Sequence, residues 1–390
     1  MKAVVAMNAF KGCLSAAAAC SAVARGLHKF NPALEVVQIP VSDGGDGLIE
    51  ALQDTLIRRG FHKLETVVTG PYGKMTPCTL LGKDDCCLIE MAQCSGLALH
   101  PVSELRAAKS TSYGLGEAVI FALSHGFKDI RIGLGGSATN DGGAGFAQAL
   151  GVRFFDRDGE EILRPVCGED LASLSAVDVS TIDPRVEQAE FTGTCDVSNP
   201  LLGPEGATAV FGPQKGAGKE DLELLERGMQ HYSRLLQRES GCNYADTPGS
   251  GAAGGMGAAL LWFCHASLRQ GIEVVLELLE FDAALAGCSV VFTGEGRMDA
   301  QSAYGKAPAG VAFRAKQYHL PVLALCGSIA ADAQILYASG IDAMFAVCDG
   351  PLSLEQSVQQ APELLEKCSC NVIRTFCARR IPDANPGPET

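Results

Sequence analysis

Short apolar runs ending in a turn residue recur at both ends of the chain, with stretches of helical period between them. "KAVVAM" (2–7) and "LEVVQIP" (34–40) lie near the N-terminus; "GCSVVFTG" (287–294), "LPVLALCG" (320–327) and "IDAMFAVCDG" (341–350) lie towards the other end. Continuous apolar runs bounded in this way predict strands buried on both faces of a parallel sheet. A first helix is expected to begin at Ser15, a good N-cap residue, and to run through "AAAACSAVARGLHKF" to the Asn31-Pro32 stop. A second, "LIEALQDTLIRRG" (48–60), is closed by Gly60. Two strands from the front and three from the back predict one five-stranded, doubly wound α/β sheet of order 2-1-3-4-5, a flavodoxin-like arrangement.

The middle of the chain carries shorter strand patterns: "LETVVTG" (64–70), "CTLLG" (78–82), "CLIEMA" (87–92), "IRIGLG" (130–135), "VRFF" (152–155) and "EFTGTCDV" (190–197). Helices are expected at 114–125, at 219–239 with a polar face, and at 258–268 after the glycine-rich "GSGAAGGMG" (249–257). This predicts a discontinuous flavodoxin-like domain, residues 1–64 plus 271–380, interrupted by an inserted α/β domain at 65–270. The last ten residues, "IPDANPGPET" (381–390), read as a disordered tail.

A length of 390 residues fits two domains, and 47% hydrophobic residues suffice for two cores. The net charge of −14 gives no electrostatic footprint for nucleic acid or an anionic membrane surface. An anionic substrate must therefore be met by a local cluster of cations or by a metal. None of the 16 cysteines are spaced C-x-x-C, and most sit in apolar runs. They read as buried free thiols, which implies a reducing, cytoplasmic setting. Lys2, the apolar run and "SAAAAC" imitate an export signal, but Asn8, Lys11 and Gly12 interrupt it. No run approaches the ~18 apolar residues of a membrane span, so the protein is expected to be soluble and unprocessed. Composition says nothing about oligomeric state.

In open α/β sheets, ligands bind at the carboxyl ends of the strands. Those ends carry Asn8 and Lys11, Ser42 and Asp43, Gly294 and Glu295, Gly327 and Ser328, and Asp349. Further turns combine glycines with charge: "SDGGDG" (42–47), "GLGGSATNDGG" (133–143), "CDVSNP" (195–200), "FGPQKG" (211–216) and "TGEGRMDAQS" (293–302). No Walker A pattern occurs. "GLGGSATNDGG" is the puzzling one: its glycines suit a phosphate, yet Asp141 sits among them. A metal or a polyol hydroxyl beside the phosphate would account for that aspartate. The rival interpretation is a dinucleotide fingerprint, since "GLGGSA" fits G-x-G-x-x-A and Asp156 lies about 20 residues further on, which would make the protein a nicotinamide-dependent oxidoreductase. Gly142 and Gly143 weaken the helix that this alternative needs.

"FKGCLSA", "DGGDG", "GGSATNDGGAG", "CDVSNPL", "FGPQKGA", "GAAGGMGAAL" and "TGEGRMDAQSAYGKAP", in this order, resemble the bacterial type I glycerate kinases, from Lys2 to about Phe376. The resemblance implies phosphorylation of D-glycerate with ATP and Mg²⁺, with O2 the favoured acceptor, on a flavodoxin-like domain interrupted by a restriction-endonuclease-like one. It departs from the family at the front, where Asn8-Ala9 replaces the usual Asp-Ser, and more mildly at Asp46, where Glu is common. A catalytically decayed binding homologue is the further alternative that Asn8 raises.

Residue type, strand-end position and motif together assign expected roles. Lys11, Asp43 and Asp196 are expected to be catalytic, and Asn8, Asp46, Asp141, Asn199 and Arg297 to hold substrate. Gly135, Gly136, Ser137, Lys215, Gly216 and Lys306 are expected to hold phosphate or nucleotide, and Glu295 and Asp299 to hold Mg²⁺.

Overall fold

A computed structural model describes residues 1–45, 47–303 and 305–378. Asp46, expected at a substrate, and the tail 381–390 lie outside the described residues. The chain divides into two compact units, Met1–Asp43 with Ile272–Thr390, and Gly44–Gly271.

The first unit is built on a five-stranded sheet. Its spatial order is Glu35–Gln38, Lys2–Met7, Cys288–Gly294, Val322–Cys326, Ala343–Ala346, and every pairing is parallel. This is the 2-1-3-4-5 order that the apolar runs predict. Alternate residues (Ala3, Val5, Met7, Val290, Phe292, Leu323, Leu325) share one core with helices Ala16–Phe30 and Ala361–Ala378. Their neighbours Val4, Val291 and Ala324 are equally buried and face the other way, as the two-residue period of a strand requires. Helix Ala307–Gln317 also packs on these strands. The Ser15 hydroxyl accepts from the Ala18 N–H at 3.2 Å, as expected of the N-cap.

The second unit holds a six-stranded mixed sheet in the order Ser267–Arg269, Glu190–Thr194, Asp129–Gly133, Cys86–Glu90, Met75–Lys83, His62–Thr69. The first four strands run parallel, and the last two form an antiparallel edge. Its core takes in helices Tyr113–Ser124, Ala144–Ala149, Lys219–Ser240 and Ala252–Cys264.

Two boundaries differ from expectation. Helix Leu48–Arg58, expected with the first sheet, belongs to the second unit, so the division falls after Asp43 rather than near 64. The cause is Glu90, at the end of a second-unit strand. Its carboxylate accepts from the N–H groups of Gly47 (2.6 Å), Leu48 (3.1 Å) and Ile49 (2.9 Å), and so caps the helix N-terminus. The helix expected at 258–268 runs instead from Ala252 to Cys264 with a kink at residues 253–255, and His265 in the left-handed region ends it. Ser267–Arg269 is a strand paired with Glu190–Thr194.

Among the described residues no helix is long and apolar enough to cross a membrane. All 16 cysteines are free, and burial raises the thiols of Cys20 and Cys326 to about 12.

Candidate functional site

Each unit carries its own cavity, and the predicted site residues sort between them. In the first unit, a cavity of about 560 Å³ opens at the carboxyl ends of the parallel strands. Lys11, Asp43, Glu295, Arg297, Asp299 and Lys306 line it, together with Gly327 and Ser328. Strand ends bring Lys11, Asp43 and Glu295 here, and the segment from Arg297 to the helix start at Lys306 adds the other charged groups. Glu295 directly succeeds strand Cys288–Gly294 and is 8% exposed. Its Oε1 accepts from the Ser302 hydroxyl at 2.6 Å, while Oε2 has no hydrogen-bond partner among the described residues. Burial raises the Glu295 pKa; Ser302 and Lys306 oppose the rise, and Asp43 and Asp299 add to it. Arg297 is largely exposed, with its Nε 3.7 Å from Asp299. Lys306 is the N-cap residue of helix Ala307–Gln317, whose first turn has no side-chain cap.

Apolar residues complete the lining: Phe10, Val347, Leu354, Val358 and Ala361. Nothing in the bland stretch "LEQSVQQA" (354–361) signals this role in the sequence. Asp349, another strand-end residue, lies outside the wall and pairs with Lys367 at the surface.

The second unit has several cavities; the one that holds predicted site residues is about 210 Å³ and is built differently. Gly135, Gly136 and Ser137 line it, with Asp196 and Lys215. The N–H groups of these three consecutive residues have no partner among the described residues. Gly136 has φ +69°, a left-handed conformation that glycine adopts without steric cost, so the turn makes a concave nest of donors. Lys215 is 2% exposed. Its ammonium donates to the Ser137 hydroxyl at 2.9 Å and to the Thr139 carbonyl at 2.7 Å. Burial lowers its pKa to about 7, and the negative charge of Asp141 pulls the other way. Asp196 is exposed, and its Oδ1 accepts from the Gly271 N–H at 2.9 Å. Gly44 and Gly45 complete the wall beside the helix that Glu90 caps. Glu90 is thus a positioning residue, and as a lone glutamate in a strand it carries no sequence signal.

Asp141 resolves the puzzle of the glycine turn in an unexpected way. It is fully buried and lines neither cavity. Its Oδ2 accepts from the Ser112 N–H (2.8 Å), the Ser112 hydroxyl (2.7 Å) and the Gly145 N–H (3.3 Å), and its Oδ1 accepts from the Gly143 N–H (3.2 Å). The carboxylate expected at a substrate instead ties the turn to its surroundings. Burial raises its pKa, and these donors hold it down.

Three other residues lie outside both walls. Asn8 is buried beside the first cavity, where its Oδ1 accepts from the Ala9 N–H at 2.8 Å. Asn199 donates to the Glu205 carbonyl at 2.8 Å and braces its loop. Gly216, in the left-handed region, closes the short turn Pro213–Lys215 that carries Lys215.

The dinucleotide alternative lacks its helix start, because Gly142 and Gly143 are left-handed and the helix begins only at Ala144. Asp156 is spent on its own turn, accepting from the N–H groups of Asp158 and Glu160. No cluster of three or more metal-ligating side chains occurs among the described residues.

An α/β frame with a cavity lined by cations and carboxylates in one unit, and backbone donors beside a buried ammonium in the other, suits small anionic molecules. The model of the glycerate kinase family matches residues 3–377. The glycerate kinase of Bacillus subtilis (strain 168) is 41% identical over 96% of this chain and 98% of its own length. The glycerate 2-kinase of Escherichia coli (strain K12) is 40% identical, again over 96% of this chain and 98% of its own. A crystal structure assigned as glycerate kinase 2 from Salmonella typhimurium LT2 superposes with a TM-score of 0.86 at 40% identity, covering 97% of this chain and 99% of that one. The chain belongs to the glycerate kinase family and is a phosphotransferase.

Proposed function

We propose that this protein transfers the γ-phosphoryl group of ATP to D-glycerate, giving 2-phosphoglycerate and ADP. The observation that carries the reading is the nest of Gly135, Gly136 and Ser137 beside the buried ammonium of Lys215. It supplies four preorganised donors to an anion in a chain of this family. Phosphoryl transfer is catalysed mainly by positioning and by neutralising charge, and both cavities offer those means.

Lys11, Arg297 and Lys306 neutralise phosphate charge, and Lys215 that of an anion in the nest. Asp196, which lines the same cavity as the nest, and Asp43, which lines the first, are the carboxylates assigned to accept a hydroxyl proton. Mg²⁺ commonly uses one or two protein carboxylates plus phosphate oxygens. The unpartnered Oε2 of Glu295, with Asp299 near it, fits that demand. When bound there, the ion would supply further neutralisation of phosphate charge. The two units act as a flavodoxin-like and a restriction-endonuclease-like domain, and the free thiols support a cytoplasmic setting.

A coupled ADP-release assay with D-glycerate, L-glycerate, glycolate and lactate tests the reaction, and phosphorus NMR of the product distinguishes the 2- from the 3-phosphate. ADP release with D-glycerate alone is expected. Background release with all four acids would refute it.

A further inference from the structure

We infer that the first unit's cavity binds the nucleotide, with its base against the apolar lining residues, and that the second unit's cavity takes the three-carbon acid. This assignment rests on the kinase reading and deepens it by giving each substrate its own unit.

Size decides the first step. Pockets for cofactor-sized ligands occupy about 300–1,000 Å³. The first cavity, at about 560 Å³, lies within that range, and the second, at about 210 Å³, falls short of it. A purine nucleoside is too large for the second cavity, whereas a three-carbon acid suits it.

Wall chemistry decides the second step. The first cavity's lining combines apolar residues, including Phe10, Val347, Val358 and Ala361, with three cations, Lys11, Arg297 and Lys306, and three carboxylates, Asp43, Glu295 and Asp299. A nucleotide, a flat apolar base joined to a polyanion that carries a divalent cation, calls for that combination. Lys306 also begins an uncapped helix of 11 residues, whose first N–H groups favour phosphate. Glu295 is more than nine-tenths buried, yet its Oε2 has no partner among the described residues. An unpaired carboxylate oxygen in a lining that also bears Asp43, Asp299 and three cations is placed for a divalent cation carried on phosphate. The second cavity offers no comparable row of flexible cations. Its donors are three fixed N–H groups and one buried ammonium, a set that matches a single carboxylate and leaves Asp196 for a hydroxyl.

The test is calorimetric titration of Mg·ADP and of D-glycerate into the full-length wild type and three variants. Val358→Trp and Ala361→Leu place bulk among the apolar lining residues, and Ser137→Ala removes a hydroxyl from the second cavity. Val358→Trp and Ala361→Leu are each expected to weaken Mg·ADP about tenfold while D-glycerate affinity changes less than about twofold. Ser137→Ala is expected to show the opposite pattern. Unchanged Mg·ADP binding in both wall variants, or loss of Mg·ADP binding in Ser137→Ala, overturns the assignment. Equal loss of both ligands in a wall variant whose unfolding midpoint matches the wild type also overturns it. A wild type that turns over D-glycerate but shows the reversed pattern refutes the assignment alone. A wild type that binds Mg·ADP as expected but releases no ADP with D-glycerate refutes the kinase reading alone.

Discussion

On the proposed reading, the two cavities would meet negative charge by opposite means. In the first unit the cations are long side chains at strand ends, with Arg297 largely in solvent and its carboxylate neighbour 3.7 Å away. Such groups are well screened and lose rotamer freedom when a ligand orders them. In the second unit the donors are backbone N–H groups fixed by a left-handed glycine, beside an ammonium that is already desolvated and already bonded to Ser137 and Thr139. Reorganisation there is small, and low local dielectric strengthens each contact. The first arrangement tolerates substitution one residue at a time. The second concentrates its effect in Lys215.

Removing that concentration should be the most damaging change. Lys215→Met is expected to lower kcat/KM for D-glycerate by about 10³-fold, the scale seen when a preorganised charge contact is lost. A loss no greater than that of Lys11→Met would erase the contrast between the units. The next effect is on stability. Asp141→Asn leaves buried N–H and O–H donors facing an amide, and unfolding free energy should fall by about 3 kcal/mol in denaturant titration. Activity lost without any change in stability would return Asp141 to the substrate.

Glu295→Gln probes the looser cavity. It should reduce kcat about tenfold and raise the Mg²⁺ concentration needed for half-maximal rate, as the loss of one ligand among several would. An unchanged Mg²⁺ requirement would remove Glu295 from the metal. The smallest effect belongs to Asn8→Asp. Either side chain can accept from the Ala9 N–H, and position 8 lines neither cavity. The expected change in kcat is below about threefold. A large gain would mean that the natural residue disables the enzyme.

Legibility in the sequence divided along the same line. The first sheet and its strand-end charges could be read directly, because continuous apolar runs give parallel strands and topology then gathers the residues at their carboxyl ends. Lys11, Asp43 and Glu295 were placed in one cavity lining in this way, whereas Lys306 came from its motif. The second cavity was legible in its glycine turn, its glycine-flanked lysine and Asp196. That Lys215 is buried depends on packing from distant segments, which no local pattern encodes. Asp141 misled for the same reason: a carboxylate in a glycine turn looks alike whether it faces a ligand or ties down the backbone. Glu90 and the stretch 354–361 gave no signal, since a lone strand glutamate and a short polar helix gain their roles only from the groups that the fold sets beside them.

On the proposed assignment, a buried ammonium at Lys215 holds the acid. Its pKa, lowered by burial to about 7 from an ordinary lysine value, makes this directly measurable. Below that pH the free site is protonated and ready for an anion. Above it, binding must recapture a proton. The dissociation constant for D-glycerate, measured by calorimetry from pH 6 to 9, should therefore be flat below about pH 7 and weaken up to about tenfold per unit above it. In Lys215→Met, binding should be weaker and the slope absent. The same pH slope in wild type and variant would contradict the account.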